Sequence, residues 1–314
     1  MVLQKGGFIM QYILRTEHLS KTIDGREIVK DINIHVKKGE IYGFLGPNGA
    51  GKTTVMKMVA NLWKPTSGSI ELFGEKLSPV SYEVLKRMGS IIEFPCFYEH
   101  MTGEENLQLH CEYMGYYMPG SVEDALEISG LADAAKKPVK KYSLGMRQRL
   151  GIARAILCRP ELLLLDEPVN GLDPAGMKQA RDLFKKLSTG YGISIIISSH
   201  ILSEVGSIAD TIGVISKGSL IKEIPIEEVS SMSETYIWLS VEDVKKAAYI
   251  LSDKLGLNNF KIMDKNNIRI YEGNITTKEI SAQLALDGAG INSIGTKSES
   301  LEDYFLKITG EGGK

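Results

Sequence analysis

Residues 46–53 read Gly-Pro-Asn-Gly-Ala-Gly-Lys-Thr. The spacing is G-x-x-x-x-G-K-[ST], and its flanks decide what it means. An apolar run, 40–45 (EIYGFL), enters it as a strand. A helical pattern leaves it from about Thr53 and stops before Pro65. A glycine-rich turn between a buried strand and a helix is a phosphate cradle. Gly46, Gly49 and Gly51 let successive backbone N–H groups curl around an anion. The helix start adds the positive end of its dipole. Lys52 brings a cation to the β- and γ-phosphates of a nucleotide, and the Thr53 hydroxyl is placed to ligate Mg2+. Pro47, Asn48, Ala50 and Thr54 complete the expected contact set.

Working outward, a second apolar run, 162–165 (LLLL), ends in Asp166-Glu167. By itself such an ending is common. Paired with a phosphate cradle it predicts that Asp166 holds the metal shell and that Glu167 points at the γ-phosphate and polarises a water. A third run, GISIIISS (192–199), ends at His200. A lone histidine there is more often structural. Open parallel sheets carry their ligands at strand C-termini, so in this company His200 is expected to hydrogen-bond the γ-phosphate. Tyr142-Ser-Leu-Gly-Met-Arg-Gln148 precedes a helix that reaches about Cys158. Ser143 suits an N-cap, and the same bare turn of serine and glycine suits an anion.

The remaining pattern organises the chain. Residues 12–18 and 27–35 read as strands joined by a hairpin turn at Asp24-Gly25, and 68–77 as a strand and turn. From about 84 to 158 the pattern is mostly helical, with a capping box at Thr102-Gly-Glu-Glu105. Continuous apolar runs at 161–166 and 192–199 suit parallel strands covered on both faces. A helix lies between them at about 174–188, and 208–224 gives two short strands. After about 225 the order is β, α, β, β, α, β, α, which suits a small split-βαβ domain closed by a terminal helix.

Bulk properties set bounds. The 314 residues, 43% hydrophobic and 24% charged, suffice for two domains. A net charge of −2 gives no basis for nucleic-acid binding. Cys96, Cys111 and Cys158 form neither a disulfide framework nor a metal pattern. No apolar run has the length of a membrane span, so a membrane role requires a separate spanning partner. The start, MVLQKGGFIM, is too weak for a signal peptide, and Met10 is an alternative start.

GPNGAGKTT, YSLGMRQ, LLLLDEP, Asn170-Gly-Leu-Asp173 and His200 occur in the order of the ATP-binding cassette (ABC) ATPases, and residues 11–224 resemble that family. The resemblance implies an α/β P-loop NTPase: a RecA-like core, an antiparallel β subdomain and a helical subdomain at about 84–158. An N-terminal extension (1–10) precedes it and an accessory α+β domain (225–314) follows. It also implies ATP and Mg2+ as cofactors and a head-to-tail homodimer. Each ATP would lie between one subunit's P-loop and the other's signature, here Ser143, Leu144, Gly145 and Met146. Asp173 resembles the acid that crosses between the two sites, Glu167 the general base and His200 the switch histidine. The chain departs from the family in three places. The signature reads YSLGM where LSGGQ is commonest, Ile23 stands where an aromatic stacks on adenine, and Glu93 replaces a glutamine near the Mg2+.

Glu93 lies in Gly89-Ser-Ile-Ile-Glu-Phe-Pro-Cys-Phe-Tyr98, an acid beside an apolar strand. A charge there needs water or a partner. The expected partners lie outside the chain: the nucleotide's Mg2+, with Glu93 in a catalytic and metal-binding role, and a permease loop. Glu93, the phrase IEFPCFY, the signature SLGM and Leu301-Glu-Asp-Tyr-Phe305 resemble one branch, the ATPase subunits of bacitracin-type and lantibiotic immunity exporters. That resemblance implies a peripheral subunit at the cytoplasmic face of the membrane, bound to a separate integral permease. The alternatives are a soluble cassette ATPase acting on ribosomes or DNA, and a regulatory chain whose C-terminal domain binds a small ligand. The chain lacks the second cassette and charged linker, the coiled coils and the zinc sites of the former.

Overall fold

The computed structural model describes residues 12–228 and 235–298. The chain divides into two compact units, one reaching Glu227 and one starting at Glu228. The N-terminal stretch, with Met10, and the expected terminal helix lie outside the described residues.

The first unit is built on a six-stranded sheet. Its strands are β4 (Ile41–Leu45), β7 (Met88–Ile91), β8 (Leu162–Asp166), β9 (Ser194–Ser199), β10 (Thr211–Ser216) and β11 (Ser219–Pro225). They lie in the order β11-β10-β4-β9-β8-β7, parallel except for β11. Every residue of β4, β8, β9 and β10 is buried, which is why these runs are apolar without alternation. A second, antiparallel sheet contains β1 (Tyr12–Ile23), β2 (Arg26–Ile32), β3 (His35–Lys37), β5 (Ser67–Leu72) and β6 (Glu75–Lys76). Between the sheets lies a core that includes Val29, Tyr42, Phe44, Val55, Met56, Leu164 and Ile215. Helix α1 (Lys52–Val59) follows β4, and α2 (Tyr82–Lys86) precedes β7. The helical part contains α3 (Gly103–Met114), α4 (Ser121–Ile128) and α5 (Leu144–Ile156). The capping box of α3 is complete: Glu105 N–H donates to Thr102 Oγ1 (3.1 Å) and Thr102 N–H to Glu105 Oε2 (2.7 Å). Helices α6 (Pro174–Lys185) and α7 (Leu202–Gly206) follow β8 and β9.

Three local readings change. Strand β1 runs on to Ile23, and the 27–35 strand breaks after Ile32, because Asp31 takes a left-handed φ of 49° that interrupts regular pairing. The mostly helical stretch is interrupted early: after α2, β7 occupies Met88–Ile91 and extends the parallel sheet beside β8. Its signal is short and carries a glycine. That glycine is a close approach, since a Cβ on Gly89 would lie 2.1 Å from the Ala155 carbonyl oxygen of α5.

The second unit has a sheet in the order β13-β14-β12-β15, with neighbours antiparallel, from β12 (Thr235–Val241), β13 (Phe260–Ile262), β14 (Asn267–Ile270) and β15 (Ile291–Ser298). Helices at Val244–Tyr249 and Thr277–Leu286 supply Ala247, Ile280 and Leu284 to a core with Ile237, Leu239 and Val241. This is the split-βαβ order.

Candidate functional site

The parallel register brings three strand ends together. Asp166 is the Cα partner of Ser198, and Leu45 that of Ser199, so the ends of β4, β8 and β9 lie side by side. The 46–51 loop leaves β4 there and turns into α1. Gly51 has φ 108°, a conformation that a side chain resists, and Lys52 is the first helical residue.

Lys52 is buried, and its ammonium donates to the carbonyl oxygens of Gly46 (2.6 Å) and Pro47 (3.3 Å). Glu167 Oε1 lies 3.3 Å from the same Nζ. With its charge matched inside the loop, the lysine is held over the cradle. Thr53 Oγ1 donates its proton to Asp166 Oδ2 at 2.8 Å. That leaves the hydroxyl lone pairs free to face a cation. Asp166, 4% exposed, also accepts from Ser198 Oγ at 2.6 Å. These hard oxygens beside a phosphate cradle fit Mg2+, which binds through one or two protein oxygens plus substrate phosphates.

Glu167 is held at three points. Its backbone has φ 49°, uncommon for a residue with a long side chain. Its N–H donates to Ser198 Oγ (2.9 Å), and its Oε2 accepts from His200 Nδ1 (2.8 Å). An ionised carboxylate only accepts, so in this bond the His200 Nδ1–H is the donor. Ser198 therefore joins both acids, a role its sequence context does not announce. The signal lies in the pairing of Ser198 with Asp166, which is a property of the folded sheet. Ser198→Ala is expected to leave a buried carboxylate short of a donor. Unfolding stability should fall by about 1–3 kcal/mol, with ATP turnover reduced at saturating nucleotide. Chemical denaturation and steady-state kinetics check this.

A second group forms elsewhere in the same unit. Ser143 caps α5, accepting from Met146 N–H at 3.2 Å, and Asp173 caps α6, accepting from Gly176 N–H at 2.8 Å. The two caps share a cleft of about 340 Å3 with Leu144, Gly145 and Leu172. Leu144 and Ser143 are exposed, and Met146 is half-buried.

The other expected residues are dispersed. Asn48 and Gly49 are exposed at the tip of the loop, Ala50 is buried, and Pro47 and Thr54 are half-buried. Ile23 is half-buried at the β1–β2 hairpin, paired with Arg26. Glu93, expected to meet Mg2+ and a permease loop, also has a partner inside the chain: Lys57 Nζ donates to Glu93 Oε1 at 2.6 Å. Neighbours along the chain do not reveal this partner, because Lys57 lies 36 residues before Glu93. Among the described residues, no group of three or more His, Cys, Asp or Glu is arranged to hold a metal ion.

A family model described as "ABC transporter" matches residues 29–170. An uncharacterized ABC transporter ATP-binding protein of Bacillus subtilis is 53% identical over 95% of this chain and 97% of its own length. A bacitracin transport ATP-binding protein of Enterococcus faecalis is 46% identical, covering 97% of this chain and 99% of its own. A lantibiotic transport ATP-binding protein of Streptococcus pyogenes is 39% identical over 71% of this chain and 96% of its own. Among solved structures, CbiO1 of Clostridium perfringens, part of the ABC transporter complex CbiONQ, matches with a TM-score of 0.65 at 27% identity. The match covers 71% of this chain and 92% of that one.

Proposed function

This chain belongs to the ABC transporter ATP-binding proteins, and from that premise we propose that it powers a separate integral permease exporting antimicrobial peptides of the bacitracin or lantibiotic type. The observation that carries the proposal is the similarity to a bacitracin transport ATP-binding protein along 97% of the chain, second unit included.

In the mechanism we propose, ATP bridges two copies head to tail. Lys52 leaves Glu167 and the loop carbonyls for the β- and γ-phosphates. Ser143, Leu144, Gly145 and Met146 of the facing copy close on the γ-phosphate, and Asp173 lies at the crossing between the two sites. Thr53 and Asp166 would hold Mg2+, which would supply neutralisation of phosphate charge. Glu167 takes the proton of the attacking water, with His200 orienting its carboxylate. Ile23 offers adenine an apolar contact in place of a stacked ring. Hydrolysis reopens the dimer because ATP and ADP bind the closed and open states differently.

No helix among the described residues is long and apolar enough to cross a membrane. A permease contact is supported by exposed aromatics in the segment after β7 (Phe94 and Tyr98), at the end of α3 (Tyr113) and three residues beyond it (Tyr117). A surface of this kind suits an apolar partner segment. Deleting the gene in its host should lower the tolerated concentration of bacitracin or a lantibiotic. The intact gene should restore tolerance and a Glu167→Gln copy should not. Unchanged tolerance to both peptide classes would sink the export reading.

A further inference from the structure

Helix α1 carries Lys52 and Thr53 on its first turn and Lys57 on its last. Lys57 has two partners. Its ammonium lies 2.6 Å from Glu93 Oε1 and 4.9 Å from the centre of the Trp63 ring. The lysine side chain is only 20% exposed and the glutamate 62%, so the cation is held between ring and carboxylate rather than trailing in water. Glu93 itself has φ 64°, a left-handed backbone two residues after β7. A long side chain in that conformation needs something to hold it.

The residues after Glu93 are fastened to a different helix. Arg154 of α5 donates from NH1 to the Cys96 carbonyl at 2.9 Å, and its guanidinium lies 4.9 Å over the Phe97 ring. Arg147 of α5 donates to Glu99 Oε1 at 2.8 Å. Pro95 sits so close to Gly151 that a Cβ there would meet its ring at 3.0 Å. Segment 93–99 thus has one polar anchor on the helix that starts at the phosphate cradle. It has several anchors on the helix that starts at Ser143.

We propose that Lys57 is a positioning residue for ATP hydrolysis: through Glu93 it locks segment 93–99 to the phosphate-binding helix, so that phosphate at the start of α1 is felt at the signature turn that opens α5. A carboxylate stands at position 93 because its partner is an ammonium, which an amide would hydrogen-bond without neutralising. The inference rests on the ATP-driven closure proposed above.

The test compares Lys57→Gln, Glu93→Gln, the double variant and Lys57→Arg in the full chain. Each single glutamine variant is expected to lower kcat about three- to fivefold, the range of one part-exposed ion pair. The double variant should be no slower than either single, and Lys57→Arg should stay near wild type. The apparent Mg2+ affinity should be the same in all four. Independent, multiplying losses would overturn the proposal. So would a weakened Mg2+ affinity confined to the Glu93 variants, because Glu93 would then serve the metal. A second readout needs no turnover. In the nucleotide-free chain, amides of 93–99 should exchange with deuterium about fivefold faster in Lys57→Gln, and unchanged exchange also overturns the proposal. A wild-type chain that hydrolyses no ATP would count against the proposed function, while the exchange result still judges the latch.

Discussion

Glu167→Gln is expected to reduce ATP turnover about 100-fold or more, the usual contribution of a positioned general base, while ATP binding persists. The substitution is nearly isosteric. The backbone bond from Glu167 N–H to Ser198 Oγ is untouched, and an amide oxygen still accepts from His200 Nδ1. The basic oxygen facing Lys52 at 3.3 Å is what disappears. Removing a negative charge beside the phosphates also favours ATP, so nucleotide affinity should hold or rise. Closure without hydrolysis should then accumulate a dimer. Phosphate release, ATP titration and size-exclusion chromatography in Mg2+-ATP read the three effects. Turnover near wild type would remove Glu167 from the role of base.

Lys52→Ala is the second large effect. Its ammonium is already satisfied without nucleotide, by the Gly46 and Pro47 carbonyls and by Glu167. The net gain on binding ATP is therefore smaller than the gross strength of its phosphate contacts. A loss of about 100-fold in ATP affinity is expected, close to 2.7 kcal/mol. The variant also leaves Glu167 facing the phosphates without a counter-charge, which adds to the loss. Calorimetric titration measures it. A melting temperature little changed without ATP, but no longer raised by ATP, would separate lost binding from lost folding.

The parts of the site that lie along one stretch of chain are legible in the sequence. The cradle needs consecutive N–H groups, one glycine turn and a helix start, and residues 46–53 contain all three. Strands β8 and β9 were visible because burial on both faces demands unbroken apolar runs. Of β7 only the apolar end before Glu93 shows in the sequence, because four residues with a glycine carry too little hydrophobic pattern to fix its place in the sheet. Its glycine reflects the approach of α5, a neighbour far along the chain.

The residues alone carry the order of motifs of the cassette, the two acids where the β8 run ends, the cap at Ser143 and the split-βαβ order of the second unit. Only the tertiary structure decided which polar groups meet across elements. Ser198 joins Asp166 and Glu167 because β8 and β9 pair in one particular register. Lys57 reaches Glu93 because the last turn of α1 comes within hydrogen-bond distance of the chain just past β7. The physical reason is the same in both cases. Local sequence specifies backbone conformation and which side chains seek burial, whereas a hydrogen bond or ion pair depends on ångström distances between segments, and those exist only once the sheet and its helices have packed.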